Sequence, residues 1–166
     1  MLNYPEGSIV YLTNHDKRHC GVVIDHKHTV ELIACKDENL QKVICKLILL
    51  SPDENFEHPV TGKEPLYELW KYPVHSWTTK ELKQRVKQLK PKYDGKDYHI
   101  IKNNCQHFAW ELTTGERKSP DADKFALVGG AIGLAFHIKD FGSTSSLSNF
   151  SVVKSLQEKL DYYCLT

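Results

Sequence analysis

H-C-G-V-V-I-D-H-K-H-T-V-E-L, from His19 to Leu32, reads as two short strands joined by a polar turn. Val22, Val23 and Ile24 are β-branched, as are Thr29 and Val30 further on, whereas Asp25-His26-Lys27-His28 between them contributes no apolar residue. Branched side chains favour extended backbone because they pack well on a pleated surface, and a brief polar interruption turns such a pair into an antiparallel hairpin. The first strand is expected over His19 to Asp25 and the second over Thr29 to Ala34. His19 and Glu31 then stand on neighbouring strands, within reach of cross-strand contact.

The same signals extend outward on both sides. Tyr4-Pro5-Glu6-Gly7 is a turn that leads into a strand at Ser8 to Leu12, and Asn14 to Arg18 is a polar loop. After a turn at Asp37-Glu38-Asn39, Lys42 to Leu50 is the most strand-like run in the chain. These segments make an antiparallel sheet of about four strands. Ser51 to Pro65 holds three prolines and a Thr-Gly pair, so it is a surface loop without regular structure, of a length that often serves function. Leu66 to Tyr72 is either a further strand or a loop anchored by Trp70.

Helices follow. Thr78-Thr79-Lys80-Glu81 fits a capping box, and Leu82, Val86 and Leu89 carry an apolar stripe to Lys90, where Pro91 is expected to end the helix. The opposite face holds Lys80, Lys83, Arg85, Lys87 and Lys90, which reads as a solvated surface, with phosphate or anionic lipid as the sharper alternative. Tyr98 to Ile101 is an extended lead-in to N-N-C-Q-H-F-A-W-E-L-T-T-G, Asn103 to Gly115, a short helix with Asn103 or Asn104 as N-cap and Gly115 as its stop. Cys105 thereby falls in the first turn, where free backbone N–H groups and the helix dipole favour a thiolate. That makes it a candidate nucleophile, against the alternative of a buried structural cysteine.

A cysteine nucleophile needs a base, and histidine suits neutral pH best. Of nine histidines His19 is preferred, because a strand holds it rigidly; His26 and His28 lie in a turn, and His107 points away from Cys105 on a helix. A zinc site drawn from His19, Cys20, Cys105 and His107 lacks ligand spacing, and neither metal nor other cofactor is required.

With 22 basic and 21 acidic residues, no nucleic-acid partner is expected. Five scattered cysteines and no recognisable leader point to a reducing, intracellular setting. Phe125 to Phe136 is uncharged and glycine-rich but shorter than the ~20 residues that span a bilayer, so it is a packed helix or a membrane-inserting segment. Gly142 to Ser148 has linker composition, and Ser151 to Tyr163 is expected as an amphipathic helix through Val152, Leu156, Leu160 and Tyr163.

The His19–Leu32 and Asn104–Gly115 stretches together resemble the H-box and asparagine-cysteine box of the lecithin:retinol acyltransferase-like family, closest to its H-Ras-like suppressor phospholipase and acyltransferase branch. The resemblance implies an α+β fold, a small antiparallel sheet packed against helices in a circularly permuted NlpC-type papain-like arrangement. It implies a catalytic domain over residues 1–118, an apolar segment over 119–141 that can anchor to membranes, and a linker with a C-terminal helix over 142–166. Carried over by position, Cys105 is the nucleophile and His19 the general base. The family's third polar residue, usually a second histidine, falls on Glu31, which can still orient His19. Cys20 stands where the family tends to have an aromatic residue. The implied activity is phospholipase A or acyltransferase chemistry on a glycerophospholipid through a Cys105 thioester. It places the protein in the cytoplasm on intracellular membranes, held by Phe125 to Phe136. Two alternatives stay open: a non-catalytic factor like the picornavirus proteins that carry the same boxes, and a thiol peptidase or isopeptidase.

Overall fold

A computed structural model of the chain describes residues 2–14, 19–37, 42–51, 57–99, 102–127 and 150–165. The hairpin forms as β2 (Cys20–Val23) and β3 (Thr29–Asp37), with Val22 opposite Val30 and Gly21 opposite Glu31. β4 (Lys42–Leu50) pairs along the whole of β3, from Thr29 opposite Leu50 to Asp37 opposite Lys42. β1 (Ile9–Leu12) lies on the other side of β2, and β5 (Tyr67–Lys71) pairs with β1. The result is a five-stranded antiparallel sheet in the order β4-β3-β2-β1-β5. The fifth strand, left open between strand and loop by the sequence, is set by its pairing: Leu12 stands opposite Tyr67 and Val10 opposite Leu69.

Strand periodicity divides the side chains between two faces. One face presents Ile9, Cys20, Val22, Val30, Leu32, Cys45, Leu47 and Leu49, all buried in the main core. α1 (Thr79–Tyr93) and α2 (Cys105–Thr114) cover it with Leu82, Val86, Tyr93, Phe108, Ala109 and Leu112. The other face carries two smaller apolar groups. Val10 and Val23 pack with Leu2, while Ile33, Ile48 and Leu50 pack with Val153 and Leu156 of α4 (Phe150–Leu165). α3 (Pro120–Leu127) follows α2 closely. Sheet and helices make this an α+β fold consistent with the papain-like class.

Three details depart from the sequence reading. Pro91 does not end α1 but lies inside its last turn. The bond lost at its missing N–H is outweighed because Tyr93 is wholly buried, donates its hydroxyl to Glu111 Oε2 at 2.6 Å, and precedes a closing bond from Asp94 N–H to Lys90 O at 2.8 Å. The basic face of α1 is partly engaged: Lys90 pairs with Asp161, Lys83 lies over the Tyr163 ring, and Arg85 binds α2. The C-terminal helix buries Leu156 and Leu160 of the expected stripe, together with Val153 and Cys164, whereas Tyr163 is only partly covered. Most of the Phe125 to Phe136 segment, and the linker after it, lie outside the described residues. No helix among the described residues is long and apolar enough to cross a membrane.

Arg85 ties α1 to the end of α2, donating from Nε to Leu112 O at 2.6 Å and from Nη2 to Glu111 O at 2.7 Å. Carbonyls at the end of a helix run short of intrahelical donors, so the bond to Leu112 O supplies what the helix cannot, while Glu111 O, which already accepts from Gly115 N–H at 3.0 Å, gains a second, charged donor. Arg85→Ala should lower unfolding stability by about 1.5–3 kcal/mol in urea titrations, and Arg85→Lys, a single point charge, should recover only part of it.

Candidate active site

The first turn of α2 is fixed before any reactive group is considered. Asn104 is the N-cap, in extended backbone, and its Oδ1 accepts from His107 N–H at 3.0 Å. The same oxygen meets His107 Nδ1 at 2.9 Å, so His107 is occupied in the cap and turned from Cys105, as the helix geometry requires. Gln106 is held in turn by Ser119 Oγ and Asp121 N–H on its Oε1, both at 3.0 Å, which pins the chain leading into α3 against this turn. Gly115 stops α2 at φ 81°, a left-handed backbone that suits glycine. Cys105 is therefore the first residue of a helix held at both ends, and it is only 5% exposed.

Donors converge on its sulfur. The Cys20 thiol and Cys20 backbone N–H both hydrogen-bond to Cys105, His19 donates from its ring, and Tyr98 adds its hydroxyl. The Cys20 thiol and the His19 imidazolium together hold the Cys105 thiol well below its ordinary range, against burial, which acts the other way. Cys20 moves oppositely: burial, and the negative charge on its neighbour, keep it a neutral donor. Thus Cys20, noted in the sequence only as a missing aromatic, is a direct partner of Cys105.

His19 stands one residue before β2, and its Nε2 lies 2.7 Å from Glu31 Oε2. Nδ1 is left for Cys105. Burial alone would lower the imidazole, but the hydrogen bonds and charges of Cys105 and Glu31 outweigh it and push His19 up to about 10. The structure thus brings together the three residues singled out in the sequence, in the order Cys105, His19, Glu31.

Glu31 has no solvent exposure, and its carboxylate is occupied on every side. Oε2 receives His19 and also His58 Nε2, at 2.8 Å; Oε1 receives Thr29 Oγ1 at 3.1 Å and the Tyr67 hydroxyl. Burial would raise its pKa, but the histidines and their hydrogen bonds drive it well below the usual carboxylate range. His58 and Tyr67 escape a sequence reading, because one lies in the irregular 51–65 loop and the other in the segment whose strand character was left open. The only signal for His58 was the length of its loop.

Among the described residues, His19, Glu31 and His58 are the set whose donor atoms cluster closely enough to suggest a shared cation. Their geometry speaks for hydrogen bonding instead. Both imidazole Nε2 atoms sit at hydrogen-bond distance from one carboxylate oxygen, 2.7 and 2.8 Å, without the wider separation that ligands around a common metal keep. Val60 N–H donates to His58 Nδ1 at 3.1 Å, which leaves the ring proton on Nε2, where a metal would need a lone pair.

Two comparisons bear on what this site acts upon. Residues 64–119 match the PPPDE putative peptidase domain. The peptidase-type match spans about a third of the chain, taking in β5, α1 and α2 with Cys105, while His19, Glu31 and His58 lie outside it. No curated protein matches the chain at a significant level. The match overturns the lecithin:retinol acyltransferase-like assignment and, with it, the phospholipase A and acyltransferase activity on glycerophospholipids expected from the two boxes. The physical reason for the error is plain: a thiolate beside an imidazolium attacks an ester or an amide carbonyl alike, so the boxes report the nucleophile and not the leaving group.

Gly21 leaves the space that Glu31 occupies. A Cβ at Gly21 would lie 2.6 Å from Glu31 Cγ and 2.9 Å from Oε1, and the four hydrogen bonds give the carboxylate nowhere to retreat. Gly21→Ala should cost about 1–3 kcal/mol in thermal or urea unfolding and slow iodoacetamide labelling of Cys105 at neutral pH. Unchanged labelling in a destabilised variant would separate the site from the packing.

Proposed function

We propose that this chain is a thiol peptidase or isopeptidase that hydrolyses an amide bond through a Cys105 acyl-enzyme. The observation that carries the reading is the contact of Cys105, at the start of α2, with a His19 imidazole that is itself held by Glu31. The peptidase-type match over the helix that bears Cys105 supports amide bonds as the substrate class.

The steps follow from the groups present. The Cys105 thiolate attacks the carbonyl carbon, and the developing oxyanion is met by the backbone N–H groups at the start of α2 that the Asn104 cap leaves over, the His107 N–H being taken by Asn104 Oδ1. His19 gives its proton to the amine nitrogen as the C–N bond breaks, leaving a thioester. Water then attacks the thioester carbonyl while His19 takes its proton, the C–S bond breaks, and the carboxylic acid leaves. Glu31 accepts no proton; it aligns the ring and balances the imidazolium, the part an orienting carboxylate plays in other nucleophile–histidine pairs.

The test is hydrolysis of a panel of fluorogenic peptide amides and lysine-linked isopeptides. Cys105→Ala and His19→Ala should each lose at least ~10³-fold in kcat/KM with unfolding behaviour preserved. Activity should fall toward pH 10, because a His19 that titrates at about 10 loses the proton it must deliver. It should also fall in acid, once the thiolate is protonated. Cleavage that survives Cys105→Ala would exclude this mechanism.

A further inference from the structure

Glu31 needs more than His19 to stay where it is. A buried carboxylate without enough donors takes up a proton, and here the nearest proton to take belongs to His19. If Glu31 took it, the result would be a neutral acid beside a neutral imidazole, and Cys105 would lose the cation that faces it. We infer that His58 and Tyr67 are positioning residues whose hydrogen bonds keep the Glu31 carboxylate charged and aimed at His19, so that the proton stays on His19 and the thiolate on Cys105. The inference rests on the peptidase reading only for its biological purpose, since the charge arrangement can be measured without a substrate.

Three observations support it. His58 is wholly buried, and its ring is oriented from both ends: Nδ1 accepts from Val60 N–H at 3.1 Å, so Nε2 carries the proton it donates to Glu31 Oε2 at 2.8 Å. A ring fixed in this tautomer donates to Glu31 from Nε2 and acts, with His19, to lower the Glu31 carboxyl, so that it holds the carboxylate ionised. Next, the His58 and His19 rings meet edge to face, with centroids 5.4 Å apart, so the two donors reach the same oxygen from different directions. Lastly, Tyr67 donates to Oε1 from β5, next to Thr29 Oγ1 from β3, and its own proton is held firmly because burial and the Glu31 charge raise its pKa well above the ordinary value. Loop, edge strand and hairpin thus each supply a donor to one carboxylate.

The other groups near the site act on the sulfur or at longer range. Cys20 from β2 and Tyr98 before α2 hydrogen-bond to Cys105, while Cys45 from β4 and His107 of α2 feel its charge. Asp121 of α3 acts on Cys20, and Arg117 after α2 acts on His107. The substitutions below leave all of these in place.

The experiment is the pH profile of Cys105 alkylation by iodoacetamide, followed at that residue by peptide mass spectrometry, for the full-length wild type, His58→Leu, His58→Gln and Tyr67→Phe. Wild type should react well into weak acid. His58→Leu should move the low-pH limb upward by at least one pH unit, a loss of about tenfold in rate at any pH on the acid side of both limbs that is recovered by pH 9. His58→Gln, whose amide can donate to Glu31, should regain most of the wild-type profile, and Tyr67→Phe should shift the limb in the same direction by a smaller amount. A merely structural role would instead lower the rate equally at every pH, or leave it unchanged in folded protein, and either result overturns the inference. Should His58→Leu fail to fold, Tyr67→Phe removes one oxygen and carries the test alone. A shifted limb in a protein that cleaves no peptide would uphold the positioning and reject the peptidase reading; cleavage with unshifted limbs would do the reverse.

Discussion

An ionised carboxylate with no contact to water is the constraint that the rest of this structure satisfies. Removing such a charge from solvent costs several kcal/mol unless hydrogen bonds replace the lost hydration. Glu31 meets that requirement with four donors drawn from β3, β5, the loop after β4 and the residue before β2. Gly21 opposite provides the space by having no side chain. The order of the strands follows the same need, since only with β1 between β2 and β5 does Leu12 stand opposite Tyr67 and bring that hydroxyl to the hairpin.

From this anchor the charges alternate outward. Glu31 is negative, His19 positive, and Cys105 negative, each favouring the state of the next. The far end of the chain of charges is stabilised separately, by the Cys20 thiol and amide, the Tyr98 hydroxyl and the first turn of α2. The Cys105 thiolate is thus favoured from both ends. The same arrangement explains why Asn104, Gln106 and Ser119 spend their hydrogen bonds on one another: a shift of that turn would move the sulfur away from all its donors.

Much of this was legible in the sequence because it rests on local rules. The hairpin that sets His19, one residue before β2, beside Glu31 on β3, the Thr78–Glu81 capping box and Gly115 as C-cap are each decided by a few neighbouring residues and are present, and of the two asparagines offered as N-cap the structure uses Asn104. What was not legible depends on contacts far apart along the chain. His58 lies in a segment with no periodicity to read, and reaches Glu31 27 residues away. Tyr67 stands 36 residues from Glu31, and nothing local tells its strand from a loop. Pro91 obeys a local rule that the burial of Tyr93 overrides. The substrate class is misread for a different reason: a thiolate and an imidazolium serve ester and amide chemistry alike, and neither the two boxes nor the apolar Phe125 to Phe136 segment holds a residue that tells a lipid ester from a peptide amide.

The most direct test of a peptidase built on Cys105 is reaction with a peptide whose C-terminal carboxyl is replaced by a vinyl sulfone, followed by intact-protein and peptide mass spectrometry. The account predicts one adduct per chain, located on Cys105, that forms with saturable dependence on the peptide and is lost in His19→Ala while Cys20, Cys35, Cys45 and Cys164 stay unmodified. Labelling spread over those cysteines, or labelling of Cys105 at the same rate by a vinyl sulfone with no peptide attached, would contradict it.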